Sequence, residues 1–204
     1  MADVQLATES VPSTPSSGNA IIFPDTTTKK LAMIDDGGVV RGTLSKNAAI
    51  ASQGAGFSAD TYVTNSDILI PSCGLQAGMV FRWTISLSKT AAGTAAAVFT
   101  FRLGTNKTTG DTSILALTQG TAQTAALSSG LIIITLVVRS VSATGVVAAG
   151  VGVATNTAGL GSGVDGVSGS VDLTSASGKS LGLSINGGAS AAWTLTSVSA
   201  ELIG

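Results

Sequence analysis

The chain has no histidine, a single cysteine, few aromatic residues (4%) and charge on only 10% of its positions. Without histidine it lacks the side chain that titrates nearest neutral pH and the commonest metal ligand. That points away from catalysis, and we expect no enzyme, no cofactor and no metal site. Cys73 stands alone in Pro71-Ser72-Cys73-Gly74, so no intrachain disulfide can form. With no imidazole to activate it, the thiol is expected to be inert. A net charge of −1 argues against nucleic acid, which requires a basic patch. The cations are scattered; Lys29-Lys30 is the one adjacent pair and reads as a solvated turn. Long apolar runs are missing too. The densest, Leu131 to Val138, covers less than half a membrane span and is interrupted by Thr135, so no membrane insertion is expected. Met1 to Gln5 lacks the basic start of a secretion signal.

What is present is apolar and small: 44% of the 204 residues are hydrophobic and 26 are glycine. A chain of this length can bury a sizeable core without a staple. Residues 1–18 are rich in Ser, Thr and Pro and read as an extended N-terminal arm, since both Pro12 and Pro15 forbid regular helix. Residues 19–44 follow as a small β-hairpin module. Its two apolar runs, Ala20 to Phe23 and Leu31 to Ile34, are separated by turn chemistry, and Val39-Val40 offers a third strand. Residues 45–56 are Ala-rich and read as a linker or one short helix.

From 57 to 204 the pattern is strand after strand. Met79, Phe81, Trp83, Ile85 and Leu87 alternate with polar residues, as do Phe99, Phe101 and Leu103, and Leu181, Leu183 and Ile185. Leu131 to Val138 is nearly continuous and β-branched, as expected of a strand covered on both faces. Asn186-Gly187-Gly188 predicts a tight hairpin turn into a last strand from Trp193. The phase of that strand slips near Ser197, which a bulge or burial of both faces would explain. The Gly-rich stretch from Ala148 to Gly169 is either a long loop or a poorly patterned edge strand. The fold class that follows is all-β: an antiparallel, jelly-roll-like β-sandwich preceded by the arm and the hairpin module.

Motifs of chemistry are weak. Gly161-Ser162-Gly163-Val164-Asp165-Gly166 has dinucleotide-type glycine spacing, but extended text follows where a helix should open, so it reads as a flexible loop. Gly178-Lys179-Ser180 ends like a phosphate loop, yet Leu173 stands where its first glycine is needed. Asp60, Asp67, Asp111, Asp165 and Asp172 lie near predicted turns, where capping is their common use. A glycosidase pair or a hard-cation site would need several of them to converge. Asn106-Lys107-Thr108 matches a glycosylation acceptor only formally. Trp83 and Trp193 sit on alternating strands and read as core anchors. Tyr62 is the aromatic expected at the surface, where it could stack on a sugar.

So many small, uncharged side chains leave a single molecule with apolar patches and open sheet edges, which a symmetric oligomer would cover. Pro15-x-x-Gly18, Ile22-Phe23-x-Asp25, Lys30-Leu31 and Asp36-Gly37-Gly38-Val39-Val40 resemble the small N-terminal module of tailed-bacteriophage virion proteins. Ala59 to Tyr62, Ile68-x-Ile70-Pro71, Phe81-Arg82-Trp83, Lys89 to Thr94 and Arg102-x-Gly104-Thr105 are similar to the jelly-roll body of phage fibre and head-decoration proteins. The resemblance implies a homotrimer on the virion, a tail fibre involved in host attachment or a capsid decoration protein, with other phage virion proteins and a host surface glycan as partners. It implies that Pro15, Gly18, Ile22, Phe23, Asp25, Leu31 and Gly37 anchor the arm. A glycan depolymerase is the remaining alternative. No catalytic residues are carried over.

Overall fold

The computed structural model describes residues 11–24, 31–35, 40–42, 46–49, 51–70, 74–90, 93–157, 159–188 and 193–203. Among them there is no helix, and every strand pairing is antiparallel. Residues 11–19 run without regular structure apart from one turn closed by Asn19 N donating to Ser16 O at 3.1 Å. A three-stranded sheet follows, in the order β1 (Ala20–Pro24), β2 (Leu31–Asp35), β3 (Val40–Gly42). Ile21 pairs with Ile34 and Phe23 with Ala32, and buried Phe23 and Ile34 form a cluster of their own. The two short apolar runs thus make the expected antiparallel pair, with the third strand beside it.

The rest is a β-sandwich. One layer holds β6 (Thr61–Tyr62), β7 (Ile68–Leu69), β9 (Val98–Gly104), β10 (Thr112–Thr118) and β14 (Ser180–Asn186), ordered β10-β9-β14, with β6 and β7 both on the far edge of β14. The other holds β4 (Lys46–Ala49), β5 (Gln53–Gly56), β8 (Val80–Lys89), β11 (Ser128–Ser140), β12 (Val146–Asn156), β13 (Val164–Val167) and β15 (Trp193–Leu202). Its order is β13-β12-β11-β8-β15-β4, with β5 also on β15.

The period-2 pattern sets the core. Phe81, Trp83, Ile85 and Leu87 of β8, Ile132, Ile134 and Leu136 of β11, and Phe99 and Phe101 of β9 turn inward and are buried. Trp83 lies 5.5 Å from Phe101 and Trp193 lies 6.3 Å from Phe99, centroid to centroid, so the aromatic pairs stitch the two layers together. Both indoles are satisfied: Trp83 Nε1 donates to Ser66 O at 2.7 Å, and Trp193 Nε1 to Gln123 Oε1 at 2.9 Å. Both tryptophans are core anchors, as their alternation predicts.

Three expectations change and one open alternative is decided. Residues 45–56 contain no helix among those described; they hold two short strands on β15, because the partner edge that recruits them lies about 150 positions away in sequence. Asn186-Gly187-Gly188 is no hairpin turn: β14 belongs to one layer and β15 to the other, so the segment crosses between sheets. The stretch after Ala148 continues β12 and then forms β13, an edge strand. Finally β11 is covered on one face only; Leu131, Ile133, Thr135 and Val137 point outward and Ile133 remains 36% exposed. The slip at Ser197 is a bulge between Leu195 and Ser197, which returns Val198 and Ala200 to the core.

Candidate functional site

The densest group of charges lies on the outer face of the five-stranded layer. Arg102, Gly182 and Ser184 share that face because Gly182 pairs with Arg102, and Ser184 with both Thr100 and Tyr62. Arg102 is the hub. Its Nε donates to Ser184 Oγ at 3.0 Å, its Nη1 to the Asp111 carbonyl at 3.2 Å, and its Nη2 forms an ion pair with Asp60. Lys107 pairs with Asp67 at 2.7 Å. The buried Asp111 carboxylate accepts from the amides of Asn106, Lys107 and Thr108 and so caps the turn that leads to it. Its side chain lies over Gly104, where a Cβ would collide with it.

Tyr62 does not stand out into solvent. Its ring end lies against Gly182, occupying the space a side chain there would need, and its hydroxyl is buried without a hydrogen-bond partner among the described residues. Burial, the negative charge of Asp67 and, more weakly, that of Asp111 push the phenol up to about 12, and the nearby Ser66 hydroxyl offsets part of the rise. The tyrosine expected at the surface is thus half-buried, with its ring end laid on its own sheet. A tyrosine beside glycine-rich strands finds room against the backbone, a contact that sequence spacing does not show.

The other acidic residues do not join this group. Asp165 lies on exposed β13, opposite Gly150. Asp172 accepts from the hydroxyl and amide of Thr174, which hold its carboxyl below the ordinary range. Among the described residues no group of three or more Cys, Asp or Glu side chains is placed to hold a metal ion. Gly161 to Gly166 run into β13 rather than into a helix, so the dinucleotide spacing has no structural counterpart.

Two polar residues were not legible in the sequence. Gln123 is buried and bridges three partners: its Nε2 donates to the carbonyls of Ala95 and Gly187, both at 2.7 Å, and its Oε1 accepts from Trp193. Lys89 sits at an inward position at the end of β8, 2% exposed, and its ammonium donates to the carbonyls of Thr124 at 2.7 Å and Ala126 at 3.3 Å. Burial lowers its pKa. Both tie the 119–127 connection to the end of the sandwich; Lys89 continues the inward phase of Phe81 to Leu87, which could have marked it, whereas nothing in the spacing marks Gln123.

The second notable surface is the outer face of the seven-stranded layer. It carries Thr84, Ser86 and Ser88 of β8, the outward half of β11, and Gly150 and Gly152 of β12. Two shallow hollows of about 490 Å³ open on it, one lined by Ile133, Thr135, Gly150 and Gly152, the other by Ser86, Ser88, Ser129 and Leu131.

Of the expected anchoring residues, Pro15 and Gly18 lie in the irregular segment, Ile22 is 67% exposed and Phe23 is buried against Ile34. Leu31 opens β2, while Asp25 and Gly37 lie outside the described residues, as do Cys73 and the Lys29-Lys30 pair. No protein-family model matches the chain, and no curated protein matches it in sequence.

Proposed function

We propose that this chain is a structural component of a bacteriophage virion: a homotrimeric, fibre-like surface protein whose N-terminal segment and small sheet attach it to the particle. The observation that carries this reading is the arrangement of a small sheet, with its own buried pair Phe23 and Ile34, ahead of a large sandwich. A short module with a separate buried pair is suited to anchoring, and a rigid all-β body is suited to display. The sequence resemblance at Pro15 to Val40 supports the same division. The charged cluster argues for support over catalysis, since Asp60, Asp67 and Asp111 are each engaged by a cation or by backbone amides. Capsid decoration is the second reading; the same arm-and-body layout favours it equally, and copy number separates the two.

The test is incorporation. Mass spectrometry of purified virions is expected to find the full chain and not a version lacking residues 1–42, which folds but stays in the supernatant. Copies on the order of hundreds per particle, as symmetric shells present, would select decoration over a fibre. A chain that never enters particles overturns the reading.

A further inference from the structure

We infer that the outer face of the seven-stranded layer is a contact surface between copies of this chain. The inference rests on the self-assembling role proposed above and assigns it to one face.

β11 is the first observation. It lies in the middle of its sheet, between β12 and β8, and its sequence is apolar on both sides, yet the single chain covers only the side carrying Ile132, Ile134 and Leu136. A central strand with aliphatic residues on both faces is the pattern of a strand buried on both faces. The uncovered side is where a second layer is missing.

Charge is the second. Arg82 and Glu201 meet on this face at 2.9 Å and neutralise each other within the sheet. Asp165, exposed on β13, is the one carboxylate lining the hollow beside Gly150, so the face is sparsely charged and offers a strongly charged partner little to pair with. A surface made mostly of hydroxyls and small apolar groups suits this one, and another copy of the chain presents such a surface.

Shape and size agree. Ile133 and the 52% exposed Val167 project beside the hollow floored by Gly150 and Gly152, so the face offers both knobs and holes to a like surface. The central strands β12, β11, β8 and β15 are 10 to 13 residues long and the outer β13 and β4 four each. At about 3.3 Å per residue and about 4.8 Å between strands they span roughly 820 Å² in projection, comparable with the ~800 Å² per partner of stable interfaces.

The glycines make the inference testable without unfolding the protein. A Cβ at Gly152 would meet only the Ile133 carbonyl oxygen, at 3.7 Å, and one at Gly150 would meet nothing nearer than 3.9 Å. Gly152→Arg should therefore fold normally while filling the hollow with a charged side chain. Thr118→Arg, at an exposed position of β10 in the opposite layer, is the control. Sedimentation of the full-length wild type at about 10 µM should show an oligomer, Thr118→Arg should keep it, and Gly152→Arg should weaken association at least about tenfold with an unchanged far-UV spectrum. If Gly152→Arg remains fully assembled, this face is not the contact, although self-assembly stands. If the wild type sediments as a single chain, self-assembly itself falls and this inference with it. Should Gly152→Arg lose its fold, Thr135→Arg, on the same face of β11, replaces it under the same criterion.

Discussion

At the scale of single residues, the side chains that matter most do so through what they close off. Tyr62 is the sole tyrosine of the chain, so its titration can be followed without deconvolution. The phenol absorbance is expected to rise with a midpoint near 12 in the folded protein and near the ordinary value of 10 in denaturant. The sign of the linked stability change follows. Below pH 10 the phenol is protonated in both states and its contribution is fully present. Between 10 and 12 only the unfolded chain ionises, so stability falls as pH rises through that window. Tyr62→Phe should lose this alkaline sensitivity. At neutral pH it should be at least as stable as wild type, by up to about 1 kcal/mol, because it removes a buried hydroxyl that makes no well-formed hydrogen bond among the described residues. A folded-state midpoint near 10 would refute the buried setting. Gln123 and Lys89 show the opposite economy: each polar group that enters the sandwich meets carbonyls that the connecting segment must leave somewhere.

At the scale of elements, strand position was readable where one face meets the core and unreadable where pairing is decided from afar. The large apolar residues that alternate along β8, β9 and β14 are all buried, while the polar positions between them are covered too in β14, where Ser180 and Ser184 are buried. β4 and β5 carry too little apolar signal to be recognised; only the edge of β15 makes them strands. β13 is similar. Its approach to β12 depends on Gly163, where a Cβ would lie 2.5 Å from the Val151 carbonyl oxygen. Gly163→Ala is expected to cost about 2 kcal/mol, lowering Tm by roughly 4–8 °C. Gly152→Ala, one strand over, should change stability by no more than about 0.5 kcal/mol, since its Cβ enters open surface. Equal effects of the two substitutions in thermal melts would contradict the observed packing.

At the scale of the whole molecule, one large core joins both layers, and the small sheet keeps its buried pair apart from it. Removing residues 1–42 should therefore leave the Tm of the sandwich within about 2 °C of wild type, because no main-core side chain is lost. Removing residues from 193 onward should abolish the cooperative transition. β15 joins β8 to β4 and β5, and its Trp193, Leu195, Val198 and Ala200 are all buried. Persistence of a sharp melt in the second truncation would show that the layer closes without its last strand.

The sequence alone determined the class of this protein, because alternation of large apolar and small polar residues is a local property that any window of β8 or β9 displays. It also determined the burial of Trp83 and Trp193, for the same reason, and the pairing of the two runs near the N-terminus, because turn-forming residues separate two short apolar stretches. Tertiary structure decided which strands share a layer, that Asn186 to Gly188 crosses between layers, that Tyr62 folds down onto Gly182, and that Arg102 gathers Asp60 and Asp111. These depend on residues brought together from opposite ends of the chain, where spacing carries no information. The outward half of β11 falls between the two: its apolar residues were plain in the sequence, but only the fold left that face uncovered.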